Sequence, residues 1–239
     1  MRKLERAGLY VIPELQWAAP REEAATGIIP MPDAEHTPDF WRSLATEYRD
    51  DHAVIFDLYN EPHDVSWECW ESGCEANDKW FGAYPATGMT QLVEAVRSTG
   101  ARQPLMLGGL NWSSDLRGWL AHRPADPADA LVASNHTYDF TPCERTCRAA
   151  LAKDRQALPI VTGELGEGDC RHVYIDPYMR WADRHDISYL GWGWIIAPGL
   201  TCEEGPTLIS DYDGTPTRFG IGLREHLHAI RAGELRVQR

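Results

Sequence analysis

The sequence predicts an α/β fold built around a parallel sheet. Short apolar, β-branched runs recur along the chain, with helical patterns between them. Alternation of strands and helices over a whole chain is typical of parallel α/β sheets. Polar and aromatic residues also collect where these runs end, which is the face that carries the active site in barrel enzymes. The predicted strands cover residues 9–15, 54–59, 105–110, 131–134, 159–162 and 187–195.

The segments between the strands have helical periodicity. Thr37 and Pro38 provide a predicted N-cap and a first-turn proline, and an apolar face follows as far as Tyr48. Residues 89–96 repeat the i, i+3, i+4, i+7 spacing before Gly100 ends that helix. Further helices are predicted at residues 115–121, 146–153, 177–185 and 218–231.

Length and charge limit the function classes. The chain has 239 residues and no low-complexity linker, which predicts one domain over residues 1–239. Its net charge of −13 argues against nucleic acid or an anionic membrane as the main partner. No run approaches the roughly 20 apolar residues that span a bilayer. An amphipathic segment follows Met1, so the chain as given is expected to be soluble, with no export signal.

The six cysteines fall into three pairs that could close as disulfides. This pattern favours a secreted protein, and the alternative is buried, reduced thiols in a cytosolic enzyme. A zinc site is disfavoured because no C-x-x-C pair occurs. The predicted pairs are Cys69 with Cys74, Cys143 with Cys147, and Cys170 with Cys202.

The segment from residue 61 to residue 88 is long for a loop and rich in aromatic residues. Loops of this length are usually functional or disordered, and the cysteine pair within it predicts an ordered one. Sugar C–H faces pack well on aromatic rings, although a tryptophan is more often part of a core. About half of the following tryptophans are expected in a substrate cleft: Trp17, Trp67, Trp70, Trp80 and Trp112.

Two glutamates, Glu61 and Glu164, each follow a buried strand directly. Glycoside hydrolysis needs one carboxyl group to protonate the leaving oxygen and a second to act at the anomeric carbon. The two lie on the second and fifth predicted strands, which would face each other across a closed barrel. A retaining enzyme would hold the carboxyl groups about 5 to 5.5 Å apart. The alternative for either glutamate alone is a solvated or salt-bridged rim residue.

Three motifs in this order resemble those of the family 5 cellulases, which are (β/α) barrels of the TIM type. VIFDLYNEPH resembles the fourth-strand motif of that family, NHTY the sixth-strand motif and VTGELG the seventh-strand nucleophile motif. The resemblance runs from about residue 8 to about residue 231. It implies a retaining β-glycoside hydrolase acting by double displacement, without a metal or cofactor and with a polysaccharide or oligosaccharide substrate.

The resemblance also implies a role for individual residues. Glu61 would be the general acid/base, and the nearby charge of Glu164, the nucleophile, is expected to raise the pKa of Glu61. Asn60 would bind the sugar 2-hydroxyl, His136 would line the catalytic subsite and Tyr138 would donate to the nucleophile. Trp192 would carry the sugar at the cleavage subsite, with Trp194 as the second choice.

The chain departs from the family pattern at two places. Its first predicted strand matches the third strand of the family, which predicts a barrel shortened to about six βα units. Either the gene start is truncated or this is a natural or engineered six-unit barrel. Open sheet edges would then favour closure or pairing between chains, that is, self-association. The family's third strand usually ends in Asp-x-His-x, whereas Glu14, Leu15, Gln16 and Trp17 stand here, with Gln16 and Trp17 as expected substrate-binding residues.

Three functions compete. The leading hypothesis is a secreted endo-β-1,4-glucanase or a related β-glycan hydrolase. The second is a non-catalytic or degenerate carbohydrate-binding barrel that retains an aromatic cleft. The third, a metal-assisted barrel hydrolase, is disfavoured because histidine and aspartate do not cluster at the strand ends.

Overall fold

The computed structural model describes residues 1–169, 171–196 and 206–235. It divides into two compact units, Met1–Ser134 and Asn135–Arg239. The helices are α1 (Arg2–Glu5), α2 (Thr37–Tyr48), α3 (Trp67–Ser72), α4 (Met89–Arg97), α5 (Arg145–Asp154), α6 (Ile175–Arg184) and α7 (Arg218–Ala232). The strands are β1 (Phe56–Asp57), β2 (Cys74–Asp78), β3 (Gly82–Ala86), β4 (Leu105–Gly108), β5 (Leu131–Tyr138), β6 (Ile160–Gly166) and β7 (Ser188–Gly191).

Parallel pairing confirms the predicted sheet. The strand order is β1-β4-β5-β6-β7, and β5 contributes its first four residues to the first unit and its last four to the second. In the first unit, Phe56 of β1 pairs with Leu105 of β4, and Leu105 pairs with Leu131 of β5. In the second unit, β6 and β7 pair in parallel, with an irregularity between Thr162 and Leu165.

The predicted first strand, residues 9–15, runs parallel to the segment containing β1 but forms only isolated bridges, at Val11 and Glu14. Val11 donates its N–H to the Ala53 carbonyl and Leu15 donates to the Asp57 carbonyl. The residue midway between these two donors is Pro13, which has no N–H to donate. One ladder bond is therefore lost, and a continuous strand does not form.

The predicted helices after the first two strand segments are confirmed as α2 and α4. Trp41 of α2 is fully buried and donates its indole N–H to the Leu58 carbonyl. Thr37 is the first helical residue and not the predicted N-cap, which is His36. The Asp33 carboxylate accepts the backbone N–H of His36 and the hydroxyl of Thr37, so a residue outside the helix satisfies its first turn.

The long segment after Glu61 is ordered, as predicted, and forms α3 and the antiparallel hairpin β2–β3. The predicted disulfide Cys69–Cys74 joins α3 to the start of β2. A helix at residues 115–121 was expected next, and that prediction is wrong, since turns occupy this segment. Asp115 instead exchanges two backbone hydrogen bonds with Leu110, which is incompatible with a helical turn there.

The second unit contains α5, α6 and α7, which confirm the three helices predicted after residue 145. Its predicted disulfide, Cys143–Cys147, is also confirmed and links the segment before α5 to the first turn of that helix. The third predicted pair, Cys170 with Cys202, lies outside the described residues. Within the described ranges, none of the helices is both long and apolar enough to cross a membrane.

Candidate active site

Glu164, near the end of β6, is the centre of a buried polar cluster in the second unit. The residue as a whole is 6% exposed. The Tyr138 hydroxyl donates to Glu164 Oε2, and His136 Nδ1 lies 3.4 Å from the same oxygen. The last residues of β5 therefore bring both predicted partners to the predicted nucleophile.

The position of the Tyr138 ring depends on Gly166. A Cβ on Gly166 would come within 2.5 Å of the ring carbon Cε1, closer than packed atoms approach. Phe140, two residues further along the chain, stacks on the Tyr138 ring with the two ring centroids 4.9 Å apart. The ring is thus confined between neighbours, and its hydroxyl is held at the Glu164 carboxylate.

Glu167 supports this region through the backbone. Its buried carboxylate accepts the N–H groups of Val173, Tyr174 and Ile175 at 2.9, 2.9 and 3.2 Å, at the start of α6. A carboxylate at a helix N-terminus satisfies donors that have no partner within the helix. Burial raises the pKa of Glu167 despite these three donors. Glu167 was not predicted as a site residue, although an acid shortly before an amphipathic helix is a recognisable sequence signal.

Tyr174, just before α6, is hydrogen-bonded to a residue of β5. The Tyr174 hydroxyl and the Thr137 hydroxyl share a short hydrogen bond, and each accepts the backbone N–H of Cys143 at 2.9 Å. Thr137 stands between His136 and Tyr138 on the strand. The hydrogen bonds among Thr137, Cys143 and Tyr174 therefore hold in place His136 and Tyr138, which lie beside Glu164.

Asn60 and Glu61 follow β1 in the first unit. Asn60 is buried, donates its N–H to the Leu15 carbonyl at 3.1 Å and accepts the Ser113 hydroxyl at 2.8 Å. Glu61 is partly exposed, and its carbonyl oxygen lies 2.8 Å from His63 Nδ1. The role of Ser113 could not be predicted from the sequence, because it depends on an approach between distant segments.

Two tryptophans predicted for the substrate lie after β7. Trp192 is partly buried. Its backbone N–H donates to the Leu165 carbonyl at 3.0 Å, which links the residue to the end of β6. The Trp192–Gly193 peptide bond is cis. Trp194 is exposed and lies against Gly214, beside an apolar groove that includes Leu223 and Leu227 of α7.

The remaining predicted residues, Gln16 and Trp17, are both exposed in the first unit. Trp17 lines a groove together with Trp80 and Trp112. The other two tryptophans considered for the cleft pack in the interior or against it. Trp70 is fully buried, and Trp67 meets the Trp70 ring edge-on and stacks on His122.

Known proteins resemble the chain in sequence and in fold. A curated relative, Endoglucanase 1 of Robillarda sp. (strain Y-20), is 24% identical over 188 residues, which is 69% of this chain and 44% of that protein. The chain therefore spans less than half the length of this relative.

Solved structures match nearly the whole chain. One is XacCel5A in complex with cellopentaose, with a TM-score of 0.67 and 19% identity, covering 93% of this chain and 76% of that one. Another is Cel5A (EG2) from Hypocrea jecorina, with a TM-score of 0.64 and 19% identity over 92% of this chain and 71% of that one. The native β-glucanase of Saccharophagus degradans matches with a TM-score of 0.67 and 18% identity over 94% and 69%. These likenesses confirm the fold as a shortened (β/α) barrel.

The family model named Cellulase (glycosyl hydrolase family 5) matches residues 6–197, well over half of the chain. The match contains the segments that carry Asn60, Glu61, His136, Tyr138 and Glu164. On this evidence, the chain belongs to the cellulase family, glycosyl hydrolase family 5.

Proposed function

We propose that this chain is a retaining β-glycoside hydrolase that cleaves β-1,4-glucan, with Glu164 as nucleophile and Glu61 as general acid/base. The observation that carries the proposal is the buried Glu164 carboxylate, which receives a hydrogen bond from Tyr138 and has His136 beside the same oxygen. A nucleophilic carboxylate must be ionised and correctly oriented, and a donated hydrogen bond favours both.

In the first step, Glu164 attacks the anomeric carbon while Glu61 gives its proton to the departing glycosidic oxygen. A glycosyl ester on Glu164 forms, and the reducing-end part of the glycan leaves as an alcohol. Esterification removes the negative charge of Glu164. Glu61, now ionised, then accepts a proton from water, which attacks the same carbon and releases the sugar with its original configuration.

Neighbouring residues bind the sugar in this scheme. Asn60 hydrogen-bonds the 2-hydroxyl at the cleavage subsite, where such contacts strengthen in the transition state. His136 lines the subsite beside Glu164, and the Trp192 ring supports the sugar face. Gln16 stands where the family usually has a histidine. Its amide cannot titrate, so at this position it contributes hydrogen bonds only.

The choice of β-1,4-glucan is supported by the relatives. The curated relative is named an endoglucanase, and one structural match holds cellopentaose. The acidic net charge of −13 suits a neutral polysaccharide better than a polyanion. Secretion is part of the proposal. The disulfides Cys69–Cys74 and Cys143–Cys147 persist in oxidising compartments, and a β-glucan polysaccharide lies outside the cell.

The test traps the covalent intermediate. The purified chain is incubated with a 2-deoxy-2-fluoro-β-cellobioside carrying a good leaving group, and the labelled peptide is located by mass spectrometry. We expect a fluorocellobiosyl ester on Glu164, because the fluorine slows both steps and the leaving group restores the first. A label on another residue, or inverted product configuration by nuclear magnetic resonance, would contradict the proposal.

Turnover is measured in parallel as reducing ends released from carboxymethyl-cellulose and other β-glycans. Glu164→Gln should abolish release, whereas the same change at the exposed Glu22 is the matched control and should preserve it. A folded chain that binds these glycans but releases no reducing ends would support the carbohydrate-binding alternative instead.

A further inference from the structure

His63 links the turn after β1 to another part of the first unit. The residue is 5% exposed, and its backbone N–H donates to the Pro30 carbonyl at 3.0 Å. Its ring nitrogen Nδ1 lies 2.8 Å from the carbonyl oxygen of Glu61. A carbonyl oxygen only accepts hydrogen bonds, so Nδ1 carries the proton and is the donor. The histidine therefore holds the backbone of the proposed acid/base directly.

The ring of His63 is fixed by Trp112. The two rings are stacked, with centroids 3.7 Å apart and planes 9° from parallel. Trp112 has a left-handed backbone, with φ at 60° between neighbours at 53° and 55°, a conformation that residues other than glycine rarely adopt. Its N–H donates to the Pro62 carbonyl at 3.0 Å. Such strain persists where the surroundings enforce it and is concentrated at functional sites. The stacking sets the plane of the imidazole, and with it the direction of the Nδ1–H bond.

Tight packing also holds the backbone just before Glu61. The Asn60 carbonyl accepts the Ser113 hydroxyl at 2.8 Å. A Cβ on Gly108, at the end of β4, would lie 2.3 Å from that hydroxyl oxygen and 3.1 Å from the Asn60 carbonyl oxygen, so this strand packs closely against the turn. The hydrogen bond from His63 adds a support at the peptide group of Glu61 itself.

We infer that His63 is a positioning residue for the general acid/base. Its bond to the Glu61 carbonyl fixes the backbone from which the Glu61 carboxyl group reaches the glycosidic oxygen. The inference rests on the proposed function, in which Glu61 is that acid/base. A general acid must lie within about 2.6–3.2 Å of the atom that it protonates, and a misplacement of about 1 Å can cost about 100-fold in rate. A rotation of the Glu61 peptide group would move the carboxyl group, so His63 contributes to the rate without touching the glycan.

The first test compares leaving groups of different basicity. Phenyl β-cellobioside needs a proton from Glu61 to release phenol, whereas 2,4-dinitrophenyl β-cellobioside releases a stable phenolate without one. In His63→Phe, a flat ring still faces Trp112 but the N–H is absent. We expect kcat/KM to fall about tenfold on the phenyl substrate and to stay unchanged on the dinitrophenyl substrate. His63→Asn places an amide N–H where Nδ1 stands and should keep most of the rate. His63→Leu, of similar size but without a donor, should lose as much as His63→Phe.

The second readout is the step in which Glu61 acts as a base. The glycosyl ester forms quickly from the dinitrophenyl substrate, so its breakdown should limit kcat. In His63→Phe, kcat and KM on this substrate should therefore fall together by about tenfold, which leaves kcat/KM unchanged. A chain that is only less stable would not show this split. His122 is the control, because it also stacks on a tryptophan of this unit, Trp67, but its Nδ1 lies 2.8 Å from the Glu71 carboxylate. His122→Phe should leave all of these constants unchanged.

Glu61→Ala separates the positioning role from the proposed function. It should lower the ratio of kcat/KM on the phenyl substrate to kcat/KM on the dinitrophenyl substrate further than His63→Phe does. An unchanged ratio in Glu61→Ala would refute the acid/base assignment, and the positioning role with it. A lower ratio in Glu61→Ala beside a wild-type ratio in both His63→Phe and His63→Leu would overturn the positioning role alone. An equal loss on both substrates in these two variants would also overturn it, since His63 would then only stabilise the turn.

Discussion

The hydroxyl of Tyr138 donates a hydrogen bond to the carboxylate of Glu164, and both side chains are buried. A donor to the ionised form of a carboxyl group lowers its pKa, and burial without such a donor would raise it. Within the second unit, this bond links the end of β5 to the end of β6. Together with His136 beside the same oxygen, this phenolic group therefore orients the carboxylate of the proposed nucleophile.

Removing that group should slow the reaction. In Tyr138→Phe, we expect kcat/KM on cellopentaose to fall about 10- to 100-fold, the range for one lost hydrogen bond to a charged group. Steady-state kinetics on cellopentaose measures the loss.

Tyr212→Phe is the control for this change. Tyr212 is an exposed tyrosine of the same unit, so the loss of its hydroxyl should leave the rate unchanged. A Tyr138→Phe chain with a wild-type kcat/KM would show that the hydroxyl does not orient the nucleophile.

Gly166 should tolerate no side chain. In Gly166→Ala, the new Cβ would lie 2.5 Å from the Tyr138 ring, so the ring must move and the bond to Glu164 weakens. We expect a loss of about 1–3 kcal/mol in the free energy of unfolding, typical of overpacking, and a rate close to that of Tyr138→Phe. Urea denaturation and steady-state kinetics check the two effects.

Gly168 provides the control for the substitution at Gly166. A Cβ on Gly168 would meet its nearest atoms at 3.6 Å, which is ordinary contact, so Gly168→Ala should be nearly neutral. Equal stability and activity for the two variants would mean that the close approach of Gly166 to Tyr138 is unimportant.

The spacing of apolar residues predicted the helices that bury one face. The apolar faces of α2 and α4 follow directly from the spacing of residues such as Trp41 and Leu92, both of which are buried. The hairpin β2–β3 was missed because Cys74–Asp78 and Gly82–Ala86 contain few residues with strand propensity. Pairing across a turn that is pinned by Asp78 stabilises them instead.

The candidate site was predicted in part. His136, Tyr138 and Glu164 were identified from motifs, and the structure brings these three together. Gly166 and Glu167 were not identified, because their importance depends on which ring and which helix start approach them in three dimensions. The roles of all the predicted site residues stay predictions, as does the single-domain organisation. These residues are Gln16, Trp17, Asn60, Glu61, His136, Tyr138, Glu164, Trp192 and Trp194.

A buried ion pair should make the first unit sensitive to acid. Asp126 accepts two hydrogen bonds from the Arg97 guanidinium, at 2.7 and 3.0 Å, and their side chains are 0% and 7% exposed. Burial raises the pKa of Asp126, but the bonds from Arg97 and from two backbone N–H groups outweigh it and lower the pKa to about 2. A pKa below its unfolded value of 3.8 means that the folded state favours the ionised form.

The stabilisation should therefore be complete above about pH 4 and disappear as the pH falls toward 2, and it amounts to about 2 kcal/mol. In Asp126→Asn, we expect this pH dependence to be lost together with the stabilisation at neutral pH. Urea unfolding at pH 7 and at about pH 3 measures both. Asp129 forms an exposed pair with Arg123, so Asp129→Asn should change stability by less than about 0.5 kcal/mol, and an equal effect of the two substitutions would refute the role of burial.

A second buried cluster should stabilise the helices of the second unit. Asp183 of α6 accepts the Tyr189 hydroxyl at 2.9 Å and lies 2.7 Å from Nε2 of His226 on α7. Burial raises the pKa of Tyr189 well above its usual value, so this hydroxyl remains a donor at any ordinary pH. In His226→Ala, Asp183 retains only one of these two partners and a cavity opens beside it.

We expect His226→Ala to cost about 2–4 kcal/mol, because a buried carboxylate loses a partner and the ring leaves a void. His228, two residues further along α7, is exposed, so His228→Ala should cost less than about 0.5 kcal/mol. Hydrogen exchange of the α6 and α7 amides would localise the effect, since the loss of a contact between these helices should accelerate exchange in both. Faster exchange confined to α7 would indicate that only helix propensity had changed, and the proposed link through Asp183 would then be wrong.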